Sequence, residues 1–139
     1  MPHIIIEYSA NVEQWIEMGA FCELMRQTAA SIDAFPMPGI RVRAHRADHY
    51  AIADGNAKHG FIDIAVRLRG GRTLTVRQTA VQTLFDAATT YLQPALSQHS
   101  LALSMEMRDI DPELSPKTGT IRQHLESTSS AHSNTISKN

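Results

Sequence analysis

The stretch FIDIAVRLR, residues 61–69, decides the fold because it restarts a pattern that the chain has already used once. Every second residue in it is a large aliphatic side chain, which predicts a strand with one buried face. These residues are Ile62, Ile64, Val66 and Leu68. A helix is predicted next, over residues 75–93, and Pro94 should end or kink it. The alternating stretch Leu101–Arg108 predicts the strand that completes this unit.

The first half of the chain has the same order of elements. The stretch HIIIEY, residues 3–8, is short and rich in β-branched residues, which is typical of a strand. From Trp15 to Ile32 apolar residues recur every three or four positions, which predicts a helix that stops near Asp33. Residues 40–50 alternate again and predict a strand with one apolar and one cationic face. The cationic face carries Arg41, Arg43 and His45.

Two β-α-β units, over about residues 2–53 and 60–110, therefore form one domain of residues 1–112. The expected fold class is α/β (α+β), with a four-stranded sheet and both helices on one face. Right-handed crossovers make the two strands within each unit parallel. The other sheet face and the edges lack cover, so we expect a symmetric homo-oligomer.

The last part of the chain differs in composition. Residues 113–139 hold many Ser and Thr residues and show no clear period. We predict a largely disordered tail there. Only Ile121 and Leu125 offer apolar groups for a short docked helix.

Composition excludes several classes of protein. The chain has 139 residues, a formal net charge of −1 and one cysteine. This charge argues against a nucleic-acid partner. No apolar run approaches the ~20 residues of a membrane span, so no membrane association is expected. No secretion signal is recognised, which favours the cytoplasm. Cys22 lies on an apolar stripe and is interpreted as a small buried hydrophobe.

Motifs for hydrolytic, metal or phosphate chemistry are missing. The sequence has neither G-x-S-x-G nor H-E-x-x-H, and Gly70-Gly71-Arg72 lacks the spacing of a phosphate-binding loop. Histidines four apart, His45 and His49, fall near a strand rather than on a helix. We therefore expect no metal site.

Pro2 and several arginines remain as candidates for chemistry. A methionine before a small residue is usually removed, which would leave Pro2 with a free secondary amine at the start of a strand. An apolar pocket and nearby arginines would both lower the pKa of that amine towards neutrality. A base tuned in this way suits proton abstraction from an enol. Arg41, Arg43 and Arg72 could bind carboxylates, so a small di- or tricarboxylate substrate is indicated.

Each of these features also has a simpler interpretation. Met-Pro starts are common in proteins and usually carry no meaning. Arg41 and Arg43 could form a solvated sheet face or pair with carboxylates across a subunit interface. The residue types alone do not decide between these interpretations.

Five stretches in one register, spanning roughly residues 2–125, resemble the 5-carboxymethyl-2-hydroxymuconate isomerase family of the tautomerase superfamily. They are PHIIIEYS (2–9), FPMPGIRVRAH (35–45), ADG (53–55), GGRTLTVRQ (70–78) and LALSMEM (101–107). The resemblance implies a tautomerase domain and a homotrimer of duplicated β-α-β subunits without cofactor or metal. It implies isomerisation of 5-carboxymethyl-2-hydroxymuconate to 5-oxopent-3-ene-1,2,5-tricarboxylate in homoprotocatechuate degradation.

The resemblance also implies roles for individual residues. Pro2 would move the proton, and Arg41 and Arg72 would act in catalysis and in binding the substrate. Arg43 would be a helper in substrate binding. Some of these arginines could serve the proline of a neighbouring subunit.

Two other functions stay open. The same proline and arginines would fit another tautomerase, a decarboxylase or a dehalogenase acting on a related unsaturated acid. A non-enzymatic trimer that holds an organic acid in a cationic pocket would fit them as well.

The duplication predicts one active site in each chain. The second unit begins inside the chain, near Gly60, and so has no terminal amine. The first unit has Asn11 at the place that Arg72 holds in the second. One unit would therefore supply the base and Arg41, and the other would supply Arg72.

Overall fold

The computed structural model describes residues 1–125. The strands and main helices are β1 (His3–Ser9), α1 (Met18–Ala30), β2 (Arg41–Ala47), β3 (His59–Arg69), α2 (Leu74–Gln98) and β4 (Ser100–Ile110). Short 3-10 helices cover Ala10–Gln14 and Met37–Gly39. The two predicted β-α-β units are confirmed. No helix within the described range is long and apolar enough to cross a membrane.

The four strands form one mixed sheet in the order β2-β1-β3-β4. The pairs β1–β2 and β3–β4 are parallel, as predicted, whereas β1 and β3 are antiparallel. The antiparallel pairing turns the second unit by half a turn relative to the first. As a result β1 and β2 begin at the same end of the sheet at which β3 and β4 finish. We call this the Pro2 end, and the opposite end, next to residues 48–58, the connector end.

The core lies between the sheet and the two helices. Alternate side chains of β1 and β3 are fully buried, as the sequence predicts: Ile4, Ile6, Ile62, Ile64, Val66 and Leu68. From the helices the largest buried residues are Phe21, Met25, Leu84 and Leu92. Burying each such aliphatic side chain contributes about 1.5–3 kcal/mol. Phe21, rather than its neighbour Cys22, fills the centre of α1, because Cys22 is only half-buried.

The helix α2 differs from its prediction at both ends. It starts earlier, because the Thr73 hydroxyl accepts a hydrogen bond from the Val76 N–H at 3.3 Å and caps the helix. It also passes through Pro94 and continues to Gln98. Pro94 is exposed, while Leu92 and Ala95 on either side of it are buried. Packing of these neighbours offsets the missing backbone donor.

The second face of the sheet has no helix over it. Side chains on this outer face are exposed or half-buried: His3, Ile5, Glu7, Asp63, Ala65 and Arg67. The uncovered face predicted from the sequence is therefore present in the single subunit.

The chain continues beyond β4 along the Pro2 end. The N–H of Gly70 donates to the Ile110 carbonyl at 3.0 Å, which ties the ends of β3 and β4 together. Residues 115–119 then pass beside Met1, and residues 121–125 form one turn of helix. The predicted disordered tail begins at residue 113, and its greater part, residues 126–139, lies outside the described residues.

Candidate active site

Pro2 directly precedes β1, one of the two inner strands of the sheet. Its side chain is fully buried, and its carbonyl accepts a hydrogen bond from the Arg41 N–H at 3.0 Å. This bond extends the β1–β2 ladder to the residue before β1. The start of the chain is therefore held in one position by the sheet.

Gly39 allows the turn before β2 to approach the chain start. A Cβ atom at Gly39 would lie 3.0 Å from the Cα of Met1 and 3.1 Å from the Cδ of Pro2. Contacts this short are tighter than almost all real Cβ contacts. Only glycine fits here without displacing the first two residues.

Two of the three predicted arginines are fixed by backbone carbonyls near the chain start. The Nη1 of Arg41 donates to the Gly39 carbonyl at 2.9 Å and lies 3.7 Å from the Sδ of Met1. The Nη1 of Arg72 donates to the Arg69 carbonyl at 2.9 Å. The antiparallel pairing of β1 and β3 places Arg72 at the Pro2 end, although it belongs to the second unit.

Arg43 is turned towards a different partner. Its Nη1 lies 3.2 Å from the Nδ1 of His3 on the outer face of the sheet. Arg43 was predicted to lie beside Arg41, because alternate residues of a strand share a face. The shared face is confirmed, but Arg43 lies one step further from the chain start, opposite Ile5.

The terminal amine experiences a cationic and partly buried environment. Burial lowers the pKa of the amine at Met1, and the charges of Lys117, Arg72, Arg69 and Arg41 lower it further. Both causes act against the ammonium form. A neutral amine that can accept a proton is thus favoured at this position.

Two cavities flank Met1. The first has a volume of about 240 Å³ and lies beside the end of β3, with His3, Arg67, Arg69 and Lys117 in its wall. The second has a volume of about 400 Å³ and lies beside the start of β2, with Arg41, Lys117 and Arg122 in its wall. We call them the β3 cavity and the β2 cavity. Within residues 1–125, neither wall contains an Asp or Glu residue.

A row of basic side chains crosses the sheet at the Pro2 end. In the strand register Arg41 pairs with His3, His3 with Arg67, and Arg67 with Arg108. Burial and the charges of Arg67, Arg43 and Arg41 lower the pKa of His3. Like charges directly opposite each other across strands are destabilising. Arg41 and Arg67, on either side of His3, are therefore suited to bind an anion, whereas Arg108 is paired with Glu106 at 2.6 Å.

Sequence reasoning missed four residues of this site: Gly39, Arg67, Arg69 and Lys117. Arg67 and Arg69 alternate with Val66 and Leu68, so their face was predictable, but their distance to Pro2 depends on the antiparallel β1–β3 pairing. Lys117 had no signal, because it lies in a segment whose composition predicts disorder. No group of three His, Cys, Asp or Glu side chains within the described part of the chain could hold a metal ion.

The chain is similar to several known proteins. Residues 2–125 match the family model for 5-carboxymethyl-2-hydroxymuconate isomerase. The chain is 31% identical over 121 residues to the Escherichia coli 5-carboxymethyl-2-hydroxymuconate Delta-isomerase, covering 87% of this chain and 96% of that protein. A crystal structure of a 5-carboxymethyl-2-hydroxymuconate delta-isomerase superposes with a TM-score of 0.83 at 31% identity, covering 90% of this chain and 93% of that chain.

The fold is shared more widely than the family. A fused 4-OT symmetric trimer superposes with a TM-score of 0.60 at 21% identity, covering 80% of this chain and 88% of that chain. At this identity the likeness establishes the tautomerase-like fold alone. The match over residues 2–125 and the identity to the Escherichia coli enzyme go further: the chain belongs to the 5-carboxymethyl-2-hydroxymuconate isomerase family.

Proposed function

We propose that this protein, after removal of Met1, converts 5-carboxymethyl-2-hydroxymuconate to 5-oxopent-3-ene-1,2,5-tricarboxylate with Pro2 as the proton carrier. The observation that carries the proposal is the cationic environment of the terminal amine. A partly buried amine lies near four basic side chains, and the two cavities beside it have no acidic residue in their described walls. The family supplies the substrate, and the conversion belongs to the breakdown of homoprotocatechuate.

The reaction moves one proton and changes no oxidation state. The neutral Pro2 nitrogen takes the proton of the enol hydroxyl, and the O–H electron pair forms the ketone. The double bonds shift by one position along the chain of carbons. The electron pair of the far double bond then takes the proton from the Pro2 ammonium at the carbon that carries the carboxymethyl group. The amine is returned in its neutral form.

Met1 occupies the space that this reaction needs. It contributes to the walls of both cavities, and its Sδ lies against the Nη1 of Arg41. Removal of Met1 would join the two cavities in front of the Pro2 nitrogen. It would also free an N–H of Arg41 for a substrate carboxylate.

Arg41 and Arg72 are proposed to hold the substrate and its developing charge. Each guanidinium donates one N–H to a backbone carbonyl, which fixes its plane and leaves other donors for an anion. The negative charge of the enolate intermediate is stabilised by the same cations. Arg43 is proposed to act indirectly, through its contact with His3.

The assembly is proposed to be a homotrimer that buries the outer face of the sheet. Ile5 and Ala65 lie at the centre of that face, beside Arg43 on one side and Glu106 on the other. An apolar centre with charges of both signs at its borders suits a symmetric interface. The trimer of the related fold and the uncovered sheet face support this proposal.

An absorbance assay of the dienol tests the proposal. Native protein, whose chain start is read by mass spectrometry, is compared with a form that carries extra residues before Pro2 and with Pro2→Ala. The extension turns the amine into an amide without a usable lone pair, so ketone formation should fall to the uncatalysed rate while circular dichroism stays native. An extended protein with the native rate would refute the role of Pro2.

A further inference from the structure

We infer that Lys117, from the segment that follows β4, binds the carboxymethyl carboxylate of the substrate and sets the specificity for a tricarboxylate. This inference rests on the proposed function and names a further residue of the same site. Neither the strand pattern nor the family motifs pointed to this lysine.

The position of Lys117 between the two cavities favours this role. Met1 and Lys117 are the two residues that the walls of the β3 and β2 cavities share within residues 1–125. When Met1 is removed, Lys117 remains as the described side chain at the junction of the two spaces. A ligand that extends from Arg41 to Arg69 must pass it.

The positive charge of Lys117 acts on the terminal amine. Lys117 is the first among the cations whose charge lowers the pKa of the terminal amine, ahead of Arg72, Arg69 and Arg41. Its ammonium therefore acts on the position of the chain start, beside both cavities. Since Lys117 is exposed and the described cavity walls hold no acidic residue, its ammonium can meet a solvent-borne anion.

The charge of the substrate calls for a third cation. Three carboxylates are to be bound, and Arg41 and Arg72 account for two of them. The carbon that receives the proton carries both the carboxymethyl group and a carboxylate, so this part of the substrate lies nearest to the amine. Lys117, in the walls of both cavities, is thus the cation that meets the third carboxylate.

The first test compares two dienols, the tricarboxylate and 2-hydroxymuconate, which lacks the carboxymethyl group. Lys117→Met should raise KM for the tricarboxylate about tenfold or more, the usual cost of losing a charged hydrogen bond, and leave KM for 2-hydroxymuconate within about threefold. Lys117→Arg should restore most of the affinity. Lys58→Met, an exposed lysine at the connector end, is the matched control and should change neither value. Equal effects of Lys117→Met on both dienols, or none, would overturn the inference.

The second test does not require turnover. Calorimetry with full-length protein should show that Lys117→Met weakens binding of propane-1,2,3-tricarboxylate about tenfold while binding of glutarate changes little. If the native protein does not convert the dienol, the proposed function fails, and this titration still decides the role of Lys117. Tricarboxylate binding that is unchanged in Lys117→Met overturns the inference even if the enzyme is active.

Discussion

At the scale of single residues, the site is built by backbone groups as much as by side chains. Gly39 provides the space for the chain start and also the carbonyl that orients Arg41. The carbonyl of Arg69 orients Arg72 in the same way. Arginines held by the backbone are already placed before a ligand arrives, so less conformational entropy is lost on binding.

Replacing Gly39 tests how closely the chain start must be positioned. In Gly39→Ala the new methyl group would lie 3.1 Å from the Cδ of Pro2 and would push Pro2 by a few tenths of an ångström. We expect kcat/KM to fall by about 10- to 100-fold, because small displacements of a reacting group are costly. Gly19→Ala is the control, since nothing lies within 4 Å of its added Cβ. That variant should keep full activity and gain about 0.5–1 kcal/mol of helix stability. Equal activity in both variants would contradict the expectation.

The pH dependence of the reaction should report the cations around the amine. Below its pKa the amine holds a proton and cannot accept another, so kcat/KM falls on the acid side. With Met1 in place, the charge of Arg72 lowers the pKa of the terminal amine, and we expect the same effect on the Pro2 amine after Met1 is removed. Arg72→Gln should therefore raise this pKa and move the acid limb of the pH–rate profile to higher pH. Arg72→Lys keeps the charge and should keep the limb near its native position. If the acid limb of Arg72→Gln stays in place or moves to lower pH, the charge of Arg72 does not lower the pKa of the reacting amine.

The sequence predicted part of this residue-scale picture. Pro2, Arg41 and Arg72 were identifiable because they lie in short motifs at the ends of predicted elements. Arg67 and Arg69 were visible as an outward-facing pair, but their distance from Pro2 follows from a strand pairing that no local pattern encodes. Lys117 could not be found, because a position in an aperiodic segment is fixed only by tertiary contacts.

At the scale of elements, the strands were predictable and the helix ends were not. The alternation in β1, β3 and β4 matches the burial in the structure, because one buried face imposes a period of two. Thr75 was interpreted as the start of α2, yet Thr73 provides the cap. Pro94 was expected to end or kink the helix, yet α2 continues through it to Gln98, with Leu92 and Ala95 buried on either side. Tertiary packing outweighed local propensity in the second case.

At the connector end, Ser9 and Asn11 take part in a network of polar contacts. The Ser9 hydroxyl accepts from the Phe61 N–H at 2.9 Å and donates to the Asn11 Oδ1 at 2.7 Å. The Nδ2 of Asn11 donates to the His59 carbonyl at 2.8 Å. Asn11, the counterpart of Arg72, is thus engaged in holding β3 against the first unit. This supports the prediction of a single site in each chain.

Replacing Gly60 should separate stability from activity. A Cβ at Gly60 would lie 2.7 Å from the Cζ3 of Trp15, whose ring stacks on His99 with centroids 4.4 Å apart. We expect Gly60→Ala to lower the free energy of unfolding by about 1–3 kcal/mol through overpacking. Activity per folded molecule should be unchanged, because the connector end is remote from Pro2. Chemical denaturation and steady-state kinetics measure the two effects. Trp15→Leu in the same chain should restore part of the lost stability, and a kinetic defect in soluble Gly60→Ala would contradict the separation of the two ends.

At the scale of the whole molecule, charge is distributed along the outer face of the sheet. The row nearest the chain start is basic, with Arg41, His3, Arg67 and Arg108, and a later row contains Glu7 and Asp63. The net charge of −1 hides this separation. A weakly charged chain can therefore present a strongly cationic end, and this is why composition alone argued against a nucleic-acid partner but could not locate the candidate anion site.

The proposed trimer gives a prediction at this scale. Ala65 lies at the centre of the outer face, and Ala20 is exposed on α1. Sedimentation should give the native protein about three times the mass of one chain. Ala65→Arg should shift the protein towards smaller species, because a buried and unpaired charge is costly at an interface. Ala20→Arg should sediment like the native protein. A native protein that sediments as a single subunit would refute the trimer, and an unchanged Ala65→Arg would place the interface elsewhere.

The half-turn between the two units has a consequence for how this gene can be rearranged. A circular permutant that opened at residues 48–58 and joined the old termini would retain every strand pairing. It would begin at β3, however, at the connector end of the sheet, far from the arginines. Pro2 would become an internal residue, and its nitrogen would be an amide without a usable lone pair. The topology tolerates a new beginning, whereas the proposed role of Pro2 requires a chain that starts at this one strand.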